Sequence, residues 1–572
     1  MATPTNDTYT TAGTTVIAGL PSGGGADTTA PVWGGATLLV SNLTQTSYTL
    51  TASAPASDNL AVTGYEYSVT GGASWINNGA SLTAAVGGRT AGTTDACRFR
   101  AFDAAGNRSA ALSASAVLPA GSVWASVSAL LQAIDEDSWV KVSANTFASA
   151  WPSLDAEPLM TSGNVASPGA IIVAWSSMAL DDANGRIILW GGGHANTSCN
   201  APFLWHAATR QWSMAFAPTD NVFMPNAVSL YTAQPGLWRN VESWQFSPAS
   251  SHTYGNNAWL PKINRFLTWG GAAWNTGHAL HVFDPATGNG IRPLAGYTLD
   301  LTLAGQGFVG GGTGSNVKRN STAGVTLTGA LAWKPRDYLL DHANPTVANV
   351  MRGHLEGFAV YREENGHDVL YTRASTQVGG SCDTLVRVEF IDDDYHNDLL
   401  SIVGRAGSSL HSDQGGAIDP VAGVVLACGY SAQPIEAWRL ATAGPTNDPF
   451  CVAAANIGGA GKASYLAAMD AHFAVRPQSS GMGITFDTQR GRFVMWGGLR
   501  ALWTTSTPAN LSTGWTIGQL PTTGPDAPVY GTETGVHGKF KYSAAMDCYL
   551  GLVNGNNGEV WAYKPANWNP KV

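Results

Sequence analysis

Asp182-Ala-Asn-Gly-Arg-Ile-Ile-Leu-Trp-Gly-Gly192 recurs along the chain, as Lys262-Ile-Asn-Arg-Phe-Leu-Thr-Trp-Gly-Gly271 and as Asp487-Thr-Gln-Arg-Gly-Arg-Phe-Val-Met-Trp-Gly-Gly498. Weaker copies are Asn365-Gly-His-Asp-Val-Leu-Tyr371, Asp419-Pro-Val-Ala-Gly-Val-Val-Leu-Ala-Cys-Gly429 and Asp547-Cys-Tyr-Leu-Gly-Leu-Val-Asn-Gly555. Each copy reads as a polar turn, an apolar strand and a glycine-rich turn, with a further apolar strand ahead of it. Continuous apolar runs mark strands covered on both faces, and glycines let neighbouring backbones approach closely. Third strands ending in an aromatic follow, as at Leu204-Trp205, Leu280-His-Val-Phe-Asp-Pro285 and Val560-Trp-Ala-Tyr-Lys-Pro565. The repeating unit is therefore a small antiparallel sheet, and its repetition predicts sheets set radially about a common hole.

This pattern resembles the kelch-repeat, galactose-oxidase-like β-propellers, in which a glycine pair closes the second inner strand. The resemblance spans nearly all of residues 123–572 and implies a propeller over 120–572. The residues before the glycine turns, Trp190, Trp269, Tyr371, Ala427, Trp496 and Val553, mark six blades. The longest spacing, from Trp269 to Tyr371, includes the glycine-rich Gly305–Gly314 and holds either an insertion or a seventh, degenerate blade. The last blade ends one strand short, at Tyr563. Ser138-Trp-Val-Lys-Val-Ser143 would supply its outer strand, joining the two ends of the ring and removing an exposed edge.

Residues 28–119 read differently, as short alternating strands (Tyr48-Thr-Leu-Thr-Ala-Ser53, Gly64-Tyr-Glu-Tyr-Ser-Val-Thr70) separated by tight turns such as Gly71-Gly72. Three phrases in order, Asp27-Thr-Thr-Ala-Pro31, Asp58-Asn-Leu-Ala-Val-Thr-Gly-Tyr-Glu-Tyr67 and Phe99-Arg-Ala-Phe-Asp-Ala-Ala-Gly-Asn-Arg-Ser109, are similar to bacterial and phage fibronectin type III domains. Two departures stand out: Ala52 lies where the second strand usually carries a core tryptophan, and no tyrosine occupies the sixth strand. Residues 1–27 form a Thr/Gly/Ser-rich leader. It is either flexible or an anchor in which Thr14-Thr-Val-Ile-Ala-Gly-Leu20 adds a strand to a neighbouring subunit. The expected fold class is all-β, a fibronectin type III/Ig-like sandwich followed by a propeller of six or seven blades.

Composition agrees. Only 12% of the 572 residues are charged, too few for the wet faces of long amphipathic helices, whereas 67 glycines and 21 tryptophans suit short strands and tight turns. A net charge of −9 with no run of Lys or Arg argues against nucleic acid as a partner. The longest apolar stretches, such as Gly169–Trp175 and Arg492–Trp496, are strand-length, so no membrane insertion is expected. Met1-Ala-Thr-Pro-Thr-Asn-Asp-Thr-Tyr9 lacks a basic region and an apolar core, unlike a secretory signal. The six cysteines lie far apart without metal-ligand spacing and read as scattered buried thiols. An outward-facing architecture without a signal or a cystine framework fits a virion protein made in the host cytoplasm.

Candidate ligand-binding residues fall in two groups. His252, His354, His411 and His537 each lie shortly before a polar turn, which the resemblance places at the start of inner strands around one channel mouth. Such imidazoles either bind a metal or sugar hydroxyls, or cap strand ends by bonding to neighbouring carbonyls. The sixth equivalent position is Ser479-Ser480, which breaks a symmetric metal ring, so the identity of any metal stays unknown. A second group follows the glycine pairs: His194 and Asn196, then Trp274, Asn275 and His278, then Arg500 and Trp503. Aromatic, amide and imidazole groups together serve carbohydrate recognition, with Trp274 and Asn275 the strongest pair.

No nucleophile elbow, phosphate loop or HExxH motif is present, and no catalytic residue or cofactor is assigned. A glycosidase would need two carboxylates at a set separation, from among Asp181, Asp182, Glu356, Glu363, Glu364, Asp392, Asp393, Asp394 and Asp413. The expectation is a phage tail fibre or receptor-binding protein. It would contact other virion tail proteins through its N-terminal region and a host cell-surface glycan or receptor through propeller loops, with homo-oligomerisation left open. A tailspike-like polysaccharide-degrading enzyme and a structural tail or head decoration protein are the alternatives.

Overall fold

Each of the six repeated phrases forms the turn and second strand of a four-stranded antiparallel sheet in the computed structural model. The structure describes residues 27–571 except 44–46, 119–120, 152–167, 194–195, 217–247, 272–280, 284–289, 294–295, 304–331, 339–350, 352–356, 375–383, 406–414, 476–480, 530–533 and a few single positions. The chain divides into two units, Met1–Ser122 and Val123–Val572. The leader and its strand Thr14–Leu20 lie outside the described residues, as does Gly305–Gly314.

The first unit is a sandwich. One sheet joins Leu38–Ser41, Tyr48–Ala52 and Thr83–Val86; the other joins Ile76–Asn77, Val62–Ser68, Thr94–Asp103 and Leu112–Val117 in that order. Period-two alternation sends Leu50, Ala52, Phe99 and Ala101 inward, where all are buried. Ala52 is itself buried, and the aromatic part of this core comes from other strands. Trp33 stacks on Tyr65 at 5.8 Å, and Tyr65 packs on Phe99 at 5.8 Å. On the sixth strand Phe99 and Cys97 are buried, and the Cys97 thiol donates to the Tyr48 hydroxyl at 3.3 Å.

The second unit is a six-bladed propeller. The first blade is Ser177–Asp181, Arg186–Trp190, Phe203–His206 and Gln211–Met214. The second is Asn257–Leu260, Arg265–Trp269, Gly296–Leu299 and Trp333–Arg336. The third is Ala359–Glu364, His367–Ala374, Thr384–Phe390 and Leu399–Arg405. The fourth is Gly416–Asp419, Val424–Tyr430, Gln433–Arg439 and Phe450–Val452. The fifth is Gly483–Asp487, Arg492–Trp496, Leu502–Thr505 and Gly518–Gln519. The sixth is Phe540–Ser543, Cys548–Val553, Glu559–Lys564 and, as outermost strand, Ser138–Lys141. The first strands pack in a cycle, each against the next and the sixth against the first. That cycle is complete at six. The long spacing before Tyr371 is an insertion: a hairpin of His281–Phe283 with Gly290–Pro293, a sheet of its own, interrupts the second blade between its second and third strands, and the blade's outer strand comes late in the chain.

The polar turns share one backbone device. The residue just before each second strand is left-handed: Gly185 (φ 59°), Asn264 (55°), Gly366 (86°), Gly423 (62°), Gly491 (61°) and Asp547 (50°). Glycine, asparagine and aspartate tolerate that region best, which explains why the phrase keeps a small or amide residue there. The same turns staple neighbouring blades. Asp368 accepts the Lys262 and Ile263 amides at 2.9 and 3.0 Å, and Asp182 accepts the Ala545 amide at 2.9 Å and the Ser543 hydroxyl. Arg490 donates to both oxygens of Asp547, at 2.7 and 2.8 Å.

The ring closes through Ser138–Lys141, which pairs with Glu559–Lys564 from Ser138↔Lys564 to Lys141↔Trp561. Among the described residues no helix is long and apolar enough to cross a membrane; the 14-residue Lys462–Val475 instead buries Tyr465 and Met469 against the fourth and fifth blades. Cys97, Cys199, Cys428 and Cys548 are buried thiols, whereas Cys451 is an exposed one on an outermost strand and Cys382 lies outside the described residues.

Candidate functional site

At the end of the channel where the first strands begin, backbones crowd together. The Gly255 amide donates to the Gly357 carbonyl at 2.7 Å. A Cβ on Gly538 would stand 2.5 Å from that of Ser177 and 3.1 Å from the Gly255 Cα. Three bulky residues entering inner strands here carry left-handed backbone: Trp175 (φ 42°), Tyr254 (49°) and His537 (47°). Non-glycine residues avoid this region at a cost of about 1–3 kcal/mol each, and such strain gathers at sites where the surroundings impose a geometry.

These residues form one cluster. The Tyr254 amide donates to the Trp175 carbonyl at 2.6 Å. The Trp175 amide donates to Thr534 Oγ1, whose hydroxyl donates to the Val173 carbonyl, both at 2.8 Å. The Trp175 and His252 rings lie 4.6 Å apart, tilted by 33°. His252 meets Tyr254 at 6.1 Å and Tyr254 meets His537 at 6.4 Å, both edge-on. His252 Nε2 hydrogen-bonds Asn196 Oδ1 at 2.9 Å. Beneath them Asn257 joins the first two blades, donating from Nδ2 to the Ser177 and Trp190 carbonyls, each at 2.9 Å. An indole, two imidazoles, a phenol and an amide thus meet at one mouth, with Trp175 and Asn196 half-buried and His252, Tyr254 and His537 buried behind them; stacking plus directed hydrogen bonds is the chemistry such a set can offer a ligand.

Past this constriction the channel widens into a cavity of about 650 Å³, walled by the first strands of all six blades down to their turns. The wall is mainly aliphatic and aromatic, and its titratable groups are Asp181, Asp182, Tyr361, Tyr542 and Lys541. Asp181 is held by Arg186 and Asn184; Tyr361 donates to Asp368 and Tyr542 to Asp547. Burial pushes the Asp182 carboxyl up, against its bonds from Ser543 and Ala545. Lys541 has no hydrogen-bond or ion-pair partner among the described residues, and enclosure by the channel wall alone pushes its amine down to about 8.

The structure brings together His252, Asn196 and His537 from the two sequence-derived groups. Arg500 and Trp503 go elsewhere. Arg500 donates to the Gly524 and Pro525 carbonyls at 2.6 and 2.7 Å, and Trp503 is buried in the seam of the fourth and fifth blades with Nε1 on Ser464. His194, Trp274, Asn275, His278, His354 and His411 lie outside the described residues, as do Glu356 and Asp413. The other candidate carboxylates have partners. Glu363 pairs with Lys262, Glu364 with Arg387, and Asp393 with Arg265 and Lys334, while Asp392 and Asp394 cap the turn Tyr395–Asn397. Trp175, Tyr254 and Lys541 are additions. Trp175 closed an apolar stretch, and Lys541 carried a faint signal, a lone cation in an inner strand. In the sandwich, Asp27, Asp58 and Asp103 offer oxygens within 4.8 Å of one another, a hard-oxygen set of the kind divalent cations accept.

No family model matches the chain, and no curated protein matches it. Solved structures give loose likenesses. A chitinase of Bacillus thuringiensis aligns at 23% identity with a TM-score of 0.15, over 17% of this chain; the chain spans only 14% of that protein's length. The sixth fibronectin type III domain of human fibronectin type III domain containing protein 3 aligns at 22% identity and TM-score 0.14, over 18% of this chain and 92% of that one. An α-L-arabinofuranosidase of Fusarium graminearum aligns at 8% identity and TM-score 0.32, over 71% of this chain and 96% of that one. Likenesses this loose carry nothing about activity.

Proposed function

We propose that this chain is a host-attachment protein of a virion, a tail fibre or receptor-binding protein. In this reading the N-terminal part belongs to the anchoring side, and a kelch-type propeller holds a cell-surface glycan at its strand-start mouth. A propeller by itself implies no particular function. The observation that carries the reading is the cluster of Trp175, His252, Tyr254, His537 and Asn196, where three strained backbones hold aromatic, imidazole and amide groups together. Binding is favoured over hydrolysis because each described candidate carboxylate is committed to a structural partner, and a glycosidase needs a poised pair.

The test incubates the purified protein with host cells and with their isolated surface polysaccharide. Saturable cell binding, competition by the polysaccharide and loss of binding in Trp175→Ala are expected. Released oligosaccharide would replace the adhesin reading with the enzymatic one. Failure both to bind cells and to block infection would leave a structural decoration protein.

A further inference from the structure

The channel cavity is a second site, separate from the strand-start mouth. Its wall collects side chains from every blade, among them Ala179, Trp259, Val360, Ile418 and Ile484, and its one lining cation, Lys541, has no counter-ion among the described residues. The neighbouring acids are accounted for: Asp181 by Arg186, Asp182 by Ser543 and Ala545, and the carboxylates beyond Tyr361 and Tyr542 by their own networks. An ammonium facing an apolar chamber without a partner loses hydration and gains nothing in exchange, an arrangement that binding an anion would relieve.

We propose that the propeller channel binds a small amphiphilic carboxylate, a fatty-acid-like anion whose head group pairs with Lys541 and whose hydrocarbon lies along the aliphatic wall. The wall decides between ligand chemistries. An acidic sugar would need free donors and acceptors around most of its rim; here Asp181, Asp182, Tyr361 and Tyr542 are already engaged by structural partners, which leaves mainly Asn257, Thr485 and Thr488 beside Lys541. A hydrocarbon needs none, and gains by displacing water from apolar surface. A carboxylate needs one cation, and the chamber provides one. Since the free amine sits near 8, the pair forms fully below that pH and weakens above it as the amine deprotonates.

Calorimetric titration of the full chain with decanoate, below its micellar concentration, tests this beside 1-decanol and glucuronate. One decanoate per chain is expected, with affinity falling as the pH is raised from 7 to 9.5. Lys541→Met should weaken decanoate at least about tenfold and leave 1-decanol unchanged, while Lys541→Arg retains binding. A readout on the unaltered protein guards against a misfolded variant: decanoate should slow acetylation of Lys541, read by peptide mass, and not that of the surface residue Lys141. Decanoate binding indifferent to Lys541→Met, preference for glucuronate, or acetylation of Lys541 unaffected by decanoate would each overturn the proposal.

Discussion

Trp139, from the segment ahead of the first blade, packs its ring 5.4 Å from that of Trp496 in the second strand of the fifth blade. It is 2% exposed, touches Tyr563 at 5.4 Å, and donates from Nε1 to the Arg500 carbonyl at 2.9 Å. One side chain therefore ties the closing strand to the last two blades. Trp139→Ala should lose about 3–5 kcal/mol, the usual range for emptying a buried tryptophan site. Urea denaturation checks it, and an unchanged midpoint would mean that closure does not depend on this contact.

The seam between the fifth and sixth blades gives a pH prediction. Asp547 is buried, and burial pushes its carboxyl up; the paired Arg490 guanidinium, the Asn569 amide and the Tyr542 hydroxyl outweigh that and hold it below the ordinary carboxylate range. With the native value depressed, the unfolded chain binds the proton more readily. The stabilisation is present above about pH 4 and is lost as pH falls through the native value. Asp547→Asn should flatten this acid limb in denaturation midpoints measured from pH 6 to 3. Arg490→Met should cost about 3–5 kcal/mol at neutral pH, because Asp547 would stay buried without its cation, while Asp487 would keep only Arg492, at 3.5 Å.

What was legible in the chain was whatever repeats. Trp190, Trp269 and Trp496 end second strands buried on both faces, so each declared its blade locally, and Ser138-Trp-Val-Lys was readable because the sixth blade lacked a strand. The mouth was legible only in part. His252 and His537 showed by their spacing, whereas the left-handed backbones of Trp175 and Tyr254 are imposed by contacts between blades and leave no local propensity to read. Trp503 misleads for a related reason: in a chain rich in tryptophan, a ring after a glycine pair looks the same whether it faces a ligand or the next blade.

Two glycines separate steric from conformational demand. A Cβ on Gly416 would stand 2.3 Å from the Phe358 ring, while one on Gly491 would meet nothing within 4 Å at a φ of 61°. Gly416→Ala should therefore cost about 1–3 kcal/mol through overpacking. Gly491→Ala should cost about 1 kcal/mol through the backbone alone, and Gly491→Asn should cost less, since Asn264 holds the equivalent turn position in the second blade. Thermal melts of the three variants check the order; equal losses would contradict the distinction.

Thr534 offers a way to disturb the mouth without touching a ligand. It is 2% exposed; its Oγ1 accepts the Trp175 amide and donates to the Val173 carbonyl, and its own carbonyl meets His472 Nε2 at 3.0 Å. Removing the hydroxyl leaves the Trp175 amide without this acceptor, at the residue whose backbone is already strained. Thr534→Ala should cost about 1–3 kcal/mol of stability and, if the mouth holds a glycan as proposed, weaken that binding several-fold, whereas Thr534→Ser, which keeps the oxygen, should restore both. Binding isotherms beside denaturation curves decide the matter: a stability loss with unaltered affinity would show that the orientation of Trp175 is not what the ligand reads.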